Sequence, residues 1–242
     1  MEANQRAYCK IAVPPPGVKA VDLHDVERYE PFQHAVGATM TDLPVTLAID
    51  TAAPRLNLGL LRADGGVDTL VEDIAKGHAE ILFARIETLL ARNGLAYADL
   101  ERIASSTGPG SFTGLRIGLS AARGLGLARK LPVIGVPSLV ALSLGGTGGP
   151  LAVLLDARRE EAYLQLFAAP GRPETPPRLL PMAAARALVE TGRDVIASPF
   201  ADPARLVRFA AAADPAAYPP HAAYIRDADA KPQDAARIPR RA

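Results

Sequence analysis

GPGSFTGLRIGLSAARGLGLARK, running from Gly108 to Lys130, is the stretch that decides the fold. The run Thr107-Gly108-Pro109-Gly110-Ser111-Phe112-Thr113-Gly114 joins a short apolar strand, Arg102 to Ser106, to a long helix. Glycines accept backbone angles that other residues resist. Ser111 or Thr113 is placed to cap the helix start. Backbone N–H groups at such a helix entry can hold an anion, with Gly108, Gly110, Ser111 and Thr113 as the candidate residues. A tight strand-to-helix turn with no ligand is the competing reading. The loop is not a Walker A motif, because no Gly-Lys-Ser/Thr follows. It is not a nucleophile elbow either, because Pro109 stands where that motif needs its first glycine. Within the helix, Gly114, Gly118, Ala122 and Gly126 recur every four residues and make one stripe without side-chain bulk. Each helical glycine costs roughly 1 kcal/mol relative to alanine. A row of them therefore predicts close approach of another backbone, either this chain's own sheet or a helix of a second chain. Leu115, Leu119 and Leu125 flank the stripe.

Outward from this stretch, strands and helices alternate. Val45 to Asp50, Leu56 to Arg62 and Val67 to Glu72 read as three strands, with Gly65-Gly66 as a hairpin turn. Gly77 to Asn93 reads as a helix with Ile81, Leu82, Ile86, Leu89 and Leu90 on one broad face and Gly94 as its stop. Pro132 to Val136 is a strand and Ser138 to Leu144 a short helix. Gly145 to Gly149 (GGTGG) is a flexible joint. Leu151 to Asp156 and Glu161 to Phe167 are two strands around a turn. A helix near Met182 to Glu190, a strand near Asp194 to Ala197 and a helix near Pro203 to Ala212 follow. This order predicts an α/β fold, a mixed sheet covered by helices. The joint divides it into a first lobe over 40–145 and a smaller second lobe over 146–215, with a C-terminal tail over 216–242.

Composition sets outer bounds. The 242 residues are 49% apolar and 22% charged, which suits a globular chain with a real core. The net charge of +1 argues against a chain that binds nucleic acid by itself. Cys9 is the only cysteine, which leaves no intramolecular disulfide and no cysteine-based zinc site. No apolar run reaches the roughly 18 residues that a membrane span needs. No signal-peptide pattern opens the chain, so no membrane association and a cytoplasmic location are expected. Residues 1–39 mix prolines with dense charge and read as an extension without regular structure. Met40, just before the first strand, is then the expected true start. Arg226, Lys231, Arg237, Arg240 and Arg241 give the tail a basic character. It reads either as a solvated tail or as a contact for RNA phosphates.

The glycine stretch TGPGSFTGLRIGLSAARGLGLA closely resembles the signature of the TsaB family. LAIDTA on the first strand, GHAEILFARIETLL on the first long helix, LLDARREEAY in the second lobe and YIRDADAKP in the tail resemble that family in the same order. Together they cover most of residues 45–232. The resemblance implies an actin/Hsp70/sugar-kinase-like fold with two related lobes, the second reduced. It implies a non-catalytic scaffold subunit that docks on and activates TsaD, the catalytic subunit that places threonylcarbamoyl on tRNA adenosine. TsaE, an ATPase, is a further implied partner, and tRNA is met through the complex. A homodimer is expected when TsaD is absent. No cofactor and no metal are implied. Carried onto this chain, the docking helices are Gly77–Asn93 and Thr113–Arg129. Their expected interface residues are His78, Ile81, Leu82, Arg85, Leu89, Gly114, Leu115, Gly118, Leu119, Ala122 and Arg123. Two departures stand out. The family usually carries glycine where this chain has Glu160 and a larger apolar residue where it has Ala162, so a turn glycine is missing from the second-lobe hairpin.

The residues themselves offer little for catalysis. His24 and His34 lie in the extension and His221 in the tail, which leaves His78 alone on a helix, and one histidine is not a metal site. Asp50 ends the first strand but is followed by Thr51, Ala52, Ala53 and Pro54 rather than glycines, so a turn or capping role is expected. Asp156 with Arg158 reads as an ion pair or a turn. A triad of Ser111, His78 and Asp50 or Asp156 finds no support in spacing. The rival reading is a nucleotide-binding kinase- or hydrolase-like enzyme of the same fold, using Asp50 and the Gly108–Gly114 loop.

Overall fold

The computed structural model describes residues 43–189, 193–223 and 225. The extension over 1–39, the start at Met40 and the basic residues from Arg226 onward lie outside the described residues.

The first sheet has the order β3-β2-β1-β4-β5. Its strands are β1 (Thr46–Ala53), β2 (Arg55–Leu61), β3 (Val67–Asp73), β4 (Arg102–Ser106) and β5 (Val133–Val136). β1 pairs antiparallel with β2 and parallel with β4, so it is interior to the sheet and covered on both faces. That is why TLAIDTAA is buried almost throughout rather than alternating. β3 is an edge strand, and its carboxylates are each held by an arginine: Asp68 by Arg92, Glu72 by Arg85 and Asp73 by Arg55. Charged, paired side chains on an edge discourage further strand addition.

α1 (His78–Arg92) and α2 (Phe112–Arg129) cover one face of this sheet. The apolar face predicted for α1 is correct: Leu82, Ile86, Leu89 and Leu90 are buried with Leu47, Ile49, Leu56, Leu58 and Ile103. Ser111 caps α2, its Oγ accepting from Gly114 N at 3.2 Å.

The second sheet runs β10-β6-β7-β8, with β9 also paired to β7. These strands are β6 (Leu151–Arg158), β7 (Glu161–Ala169), β8 (Arg172–Pro173), β9 (Arg178–Pro181) and β10 (Asp194–Ile196). The proline-rich loop expected after β7 thus contributes two short strands. α4 (Met182–Val189) covers the outer face through Ala185 and Val189. The two lobes repeat one pattern. In each, an antiparallel hairpin is followed by a further antiparallel strand, a helix, and a strand parallel to the first of the hairpin. Among the described residues the second sheet has no counterpart of β5, which makes this lobe the smaller one.

A third apolar layer lies between the sheets. It joins Ala48, Leu61, Ile134 and Val136 of the first sheet to Leu151, Val153 and Phe167 of the second, through α3 (Ser138–Ser143) and α5 (Pro203–Ala212). Here the domain expectation needs correction. α5 falls within the 146–215 lobe by sequence, yet it packs on β1 and β2 of the first sheet. A side chain at Gly59 would collide with the Pro203 carbonyl, so the helix start rests directly on β2. The following segment returns to the first lobe too. Gly135 N donates to Tyr218 O at 2.8 Å, and Ala223 N donates to Thr107 O at 2.8 Å.

Arg102 fixes this crossing. Its guanidinium reaches the carbonyl oxygens of Ala210, Ala211 and Ala213 at 3.0, 2.7 and 2.8 Å, at the C-terminal end of α5. Burial pushes its pKa down, partly offset by the charge of Asp214. A cation at a helix C-terminus meets both orphan carbonyls and the negative end of the helix dipole. Arg102→Met is expected to destabilise the fold by about 2–3 kcal/mol, seen as a lower urea midpoint with an unchanged slope.

Candidate functional site

α2 has two faces, and they do different work. Gly114, Gly118 and Ala122 turn inward to β1 and β4 and are buried. Thr51 Oγ1 donates to Gly114 O at 2.7 Å, so helix and strand touch backbone to side chain. A methyl group at Gly114 would overlap the Thr51 carbonyl oxygen, one at Gly118 would press on Thr51 Oγ1 and Ser105 Oγ, and one at Gly126 would collide with Val133. The stripe therefore serves this chain's own sheet, and of the two readings of its cause the intrachain one is correct. Leu115 and Leu119 are buried as well. On α1, Leu82 and Leu89 belong to the core and Ile81 is half-buried. His78 is buried, with Nε2 lacking a partner among the described residues. Arg85 pairs with Glu72 rather than standing free. Of the interface residues expected from the sequence, Arg123 alone is fully exposed. Buried residues cannot make a docking surface without unfolding, so the surface must be drawn from the other face.

That face carries residues the sequence reading passed over. Phe83 is 47% exposed, Phe112 55% and Leu127 84%. Ser120, Arg123 and Gly124 lie among them on α2, and Arg116 stacks over the Phe112 ring at 3.7 Å. Gly124 is the informative position. It is a mid-helix glycine with no atom within 4 Å of where a side chain would begin. Unlike its neighbours on the inner stripe, it has no reason inside this chain to be glycine. Its place off the inner stripe was the available signal.

The glycine loop is tied inward. Ser111 N donates to Ala52 O at 2.7 Å and Gly108 N to Ser138 Oγ at 3.2 Å. A methyl group at Gly110 would sit 2.6 Å from the Ala52 carbonyl oxygen. The loop's glycine is thus required by close packing on the β1–β2 turn. Of the candidate anion-binding residues, Gly108 is buried, while Gly110, Ser111 and Thr113 are exposed at the helix entry.

A cleft of about 410 Å³ opens between the lobes beside this loop. Asp50, Ser106, Ser111 and Ser138 line it from the first lobe, and Asp156, Arg158 and Tyr163 from the β6–β7 hairpin. The two aspartates play matching parts. Asp50 Oδ1 accepts from Ala52 N at 3.0 Å and Asp156 Oδ1 from Arg158 N at 2.7 Å, each two residues ahead in its own turn. The turn-capping role expected of Asp50 is what the geometry gives it. The hairpin tip bears out the concern over Glu160. Arg158, Arg159 and Glu160 have φ of 63°, 55° and 59°, three successive side-chain-bearing residues in the left-handed region. Among the described residues no group of three or more His, Cys, Asp or Glu is arranged to hold a metal, and no helix is long and apolar enough to cross a membrane.

Comparison with known proteins fits this architecture. The family model described as TsaD: tRNA N6-adenosine threonylcarbamoyltransferase matches residues 61–171. The protein of Escherichia coli called tRNA threonylcarbamoyladenosine biosynthesis protein TsaB is 37% identical over 121 residues, covering 48% of this chain and 52% of that protein. An uncharacterized protein of Mycobacterium tuberculosis is 42% identical over 124 residues, covering 50% of this chain and 58% of its own length. The YeaZ structure from Pseudomonas aeruginosa superposes with a TM-score of 0.53 at 29% identity, covering 57% of this chain and 68% of that one. Over about half of its length the chain is similar to TsaB proteins. It spans about half the length of the curated relatives it matches. The actin/Hsp70-like fold expected from the sequence is borne out, with two lobes of related topology.

The two kinds of glycine make opposite predictions. Gly114→Ala and Gly118→Ala should each cost about 2–3 kcal/mol through overpacking, while Gly124→Ala should add about 1 kcal/mol. Thermal unfolding of the three variants reads both signs. Glu160→Gly should add about 0.5–1 kcal/mol by relieving a left-handed side-chain-bearing residue, read in the same way.

Proposed function

We propose that this chain is a non-catalytic subunit of the machinery for tRNA threonylcarbamoyladenosine synthesis, docking on and activating a TsaD-type subunit. The observation that carries the reading is the outer face of α1 and α2. Phe83, Phe112 and Leu127 are exposed there around Gly124, a glycine that only a partner's close approach would require. Helix pairs meet closely where one of them lacks side-chain bulk. The names of the TsaB relatives supply the process, and the TsaD family model that matches residues 61–171 makes a like-with-like pairing of related lobes reasonable. TsaE and tRNA join through the assembled complex, in the cytoplasm. When the TsaD-type subunit is missing, the same face is the surface for a homodimer.

A nucleotide-hydrolysing enzyme finds less support. The N–H groups of Gly108, Ser111 and Gly114 already donate within the chain, and Ala52, Ala53 and Pro54 occupy the turn beside Asp50. A phosphate group would find few free donors there.

The test is size-exclusion chromatography with light scattering, using the purified chain and the same organism's TsaD. A one-to-one complex is expected. Leu127→Glu and Gly124→Leu should weaken it by about tenfold or more, while circular dichroism stays that of the parent because both sites are exposed. Unchanged association in both variants would remove the docking assignment. No complex at all, even with nucleotide and TsaE added, would bring the enzyme reading forward.

A further inference from the structure

The cleft between the lobes holds an unmatched pair of charges. It lies at the carboxyl ends of β1 and β4, where the chain also changes sides. The helix after β4 covers one face of the first sheet, and the helix after β5 covers the other. Open α/β sheets bind ligands in the crevice formed at such a switch point. The register that sets Ile49 beside Ser105 also sets Asp50 beside Ser106, and both line the cleft.

Asp50 is 3% exposed and receives only neutral donors, Ala52 N at 3.0 Å and Asn57 Nδ2 at 3.3 Å. Among the described residues no cationic side chain forms an ion pair with it. A buried carboxylate without a counter-charge is costly. Two further acceptors stand beside it unsatisfied. Ser106 Oγ, on a residue 3% exposed, has no partner, and neither has Asn57 Oδ1, on a residue 1% exposed. Of these, Asp50 and Ser106 line the cleft, and a carboxylate without a cationic partner beside a free hydroxyl suits an ammonium group with its three N–H bonds. The opposite wall offers the reverse charge. Arg158 is exposed on the hairpin tip and pairs with no carboxylate side chain among the described residues. Asp156, beside it, is turned to the hairpin backbone, accepting from Arg158 N. Pro54, Pro109, Leu142, Leu155 and Tyr163 add apolar surface to the cleft walls.

We propose that the cleft binds a free α-amino acid, its ammonium on Asp50 and Ser106 and its carboxylate on Arg158. The volume of about 410 Å³ admits a carbon frame that a bare metal ion would not fill. A phosphorylated ligand is disfavoured, because a carboxylate floors the cleft and the glycine loop's donors at Gly108, Ser111 and Gly114 are already in use. This site is separate from the outer face of α1 and α2 and does not depend on the docking reading.

The test is thermal unfolding followed by titration calorimetry of the full chain with each of the twenty L-amino acids. At least one should raise the unfolding temperature saturably. Its N-acetyl derivative, which loses the cation, and its C-terminal amide, which loses the anion, should each bind about tenfold or more weakly. Asp50→Asn and Arg158→Ala should weaken binding to the same degree. Arg158 is exposed on a hairpin tip, so its variant keeps the parent's unfolding curve and remains informative if Asp50→Asn folds poorly. The proposal falls if no amino acid binds at about 10 mM, if the blocked derivatives bind equally well, or if Arg158→Ala leaves affinity unchanged. Equal stabilisation by magnesium chloride alone, abolished in Asp50→Asn, would make the acceptor cluster a metal site instead.

Discussion

The contact between Thr51 and Gly114 is the constraint from which much of the first lobe follows. A helix can lie this close to a strand only where neither carries bulk at the crossing. With Gly114, Gly118 and Ala122 against β1 and β4, α2 drops onto the sheet and its N-terminal loop meets the β1–β2 turn. Gly110 and Ser111 are then fixed by the backbone of Ala52, and the loop becomes one wall of the interlobe cleft. The same loop that might have cradled an anion is instead held by the protein's own carbonyls and hydroxyls.

The two lobes are bound into one body by a segment that leaves the second and returns to the first. α5 fills the space between the sheets, and the stretch through Tyr218 and Ala223 hydrogen-bonds to β5 and to the end of β4. Arg102 anchors the end of that helix from the first lobe. Burial of Leu206, Val207 and Ala210 with residues of both sheets makes the apolar layer common to the lobes. The second lobe is small because much of its chain serves the other one.

Helices α1 and α2 divide labour by face. Their inner faces are ordinary core, and their outer faces carry exposed aromatic and aliphatic side chains around an unexplained glycine. Four-residue periodicity reveals that a stripe exists but does not say which of two partners lies behind it. The interface expected from the sequence gathered the residues of the inner stripe, because small residues at regular spacing suit a helix of another chain as well as a strand of this one. Burial shows which partner took them. On the outer face Phe112, Arg116, Ser120 and Gly124 share that period but mix large and small side chains, so no stripe stood out from the sequence.

The α-helices and most strands, the hairpin missing its turn glycine at Glu160, and the resemblance to TsaB proteins were legible in the sequence. Those features are written in short-range chemistry: apolar period, caps, glycine stops and a long specific motif. β8 and β9 were hidden because strands of two and four residues in a proline-rich loop carry too little pattern. Only the tertiary structure decided that α5 belongs to the first sheet, that the glycine stripe faces inward, and that Asp50, Ser106 and Arg158 gather around one cleft. Each of these joins residues tens of positions apart, and such neighbours are chosen by the packing of whole elements against one another.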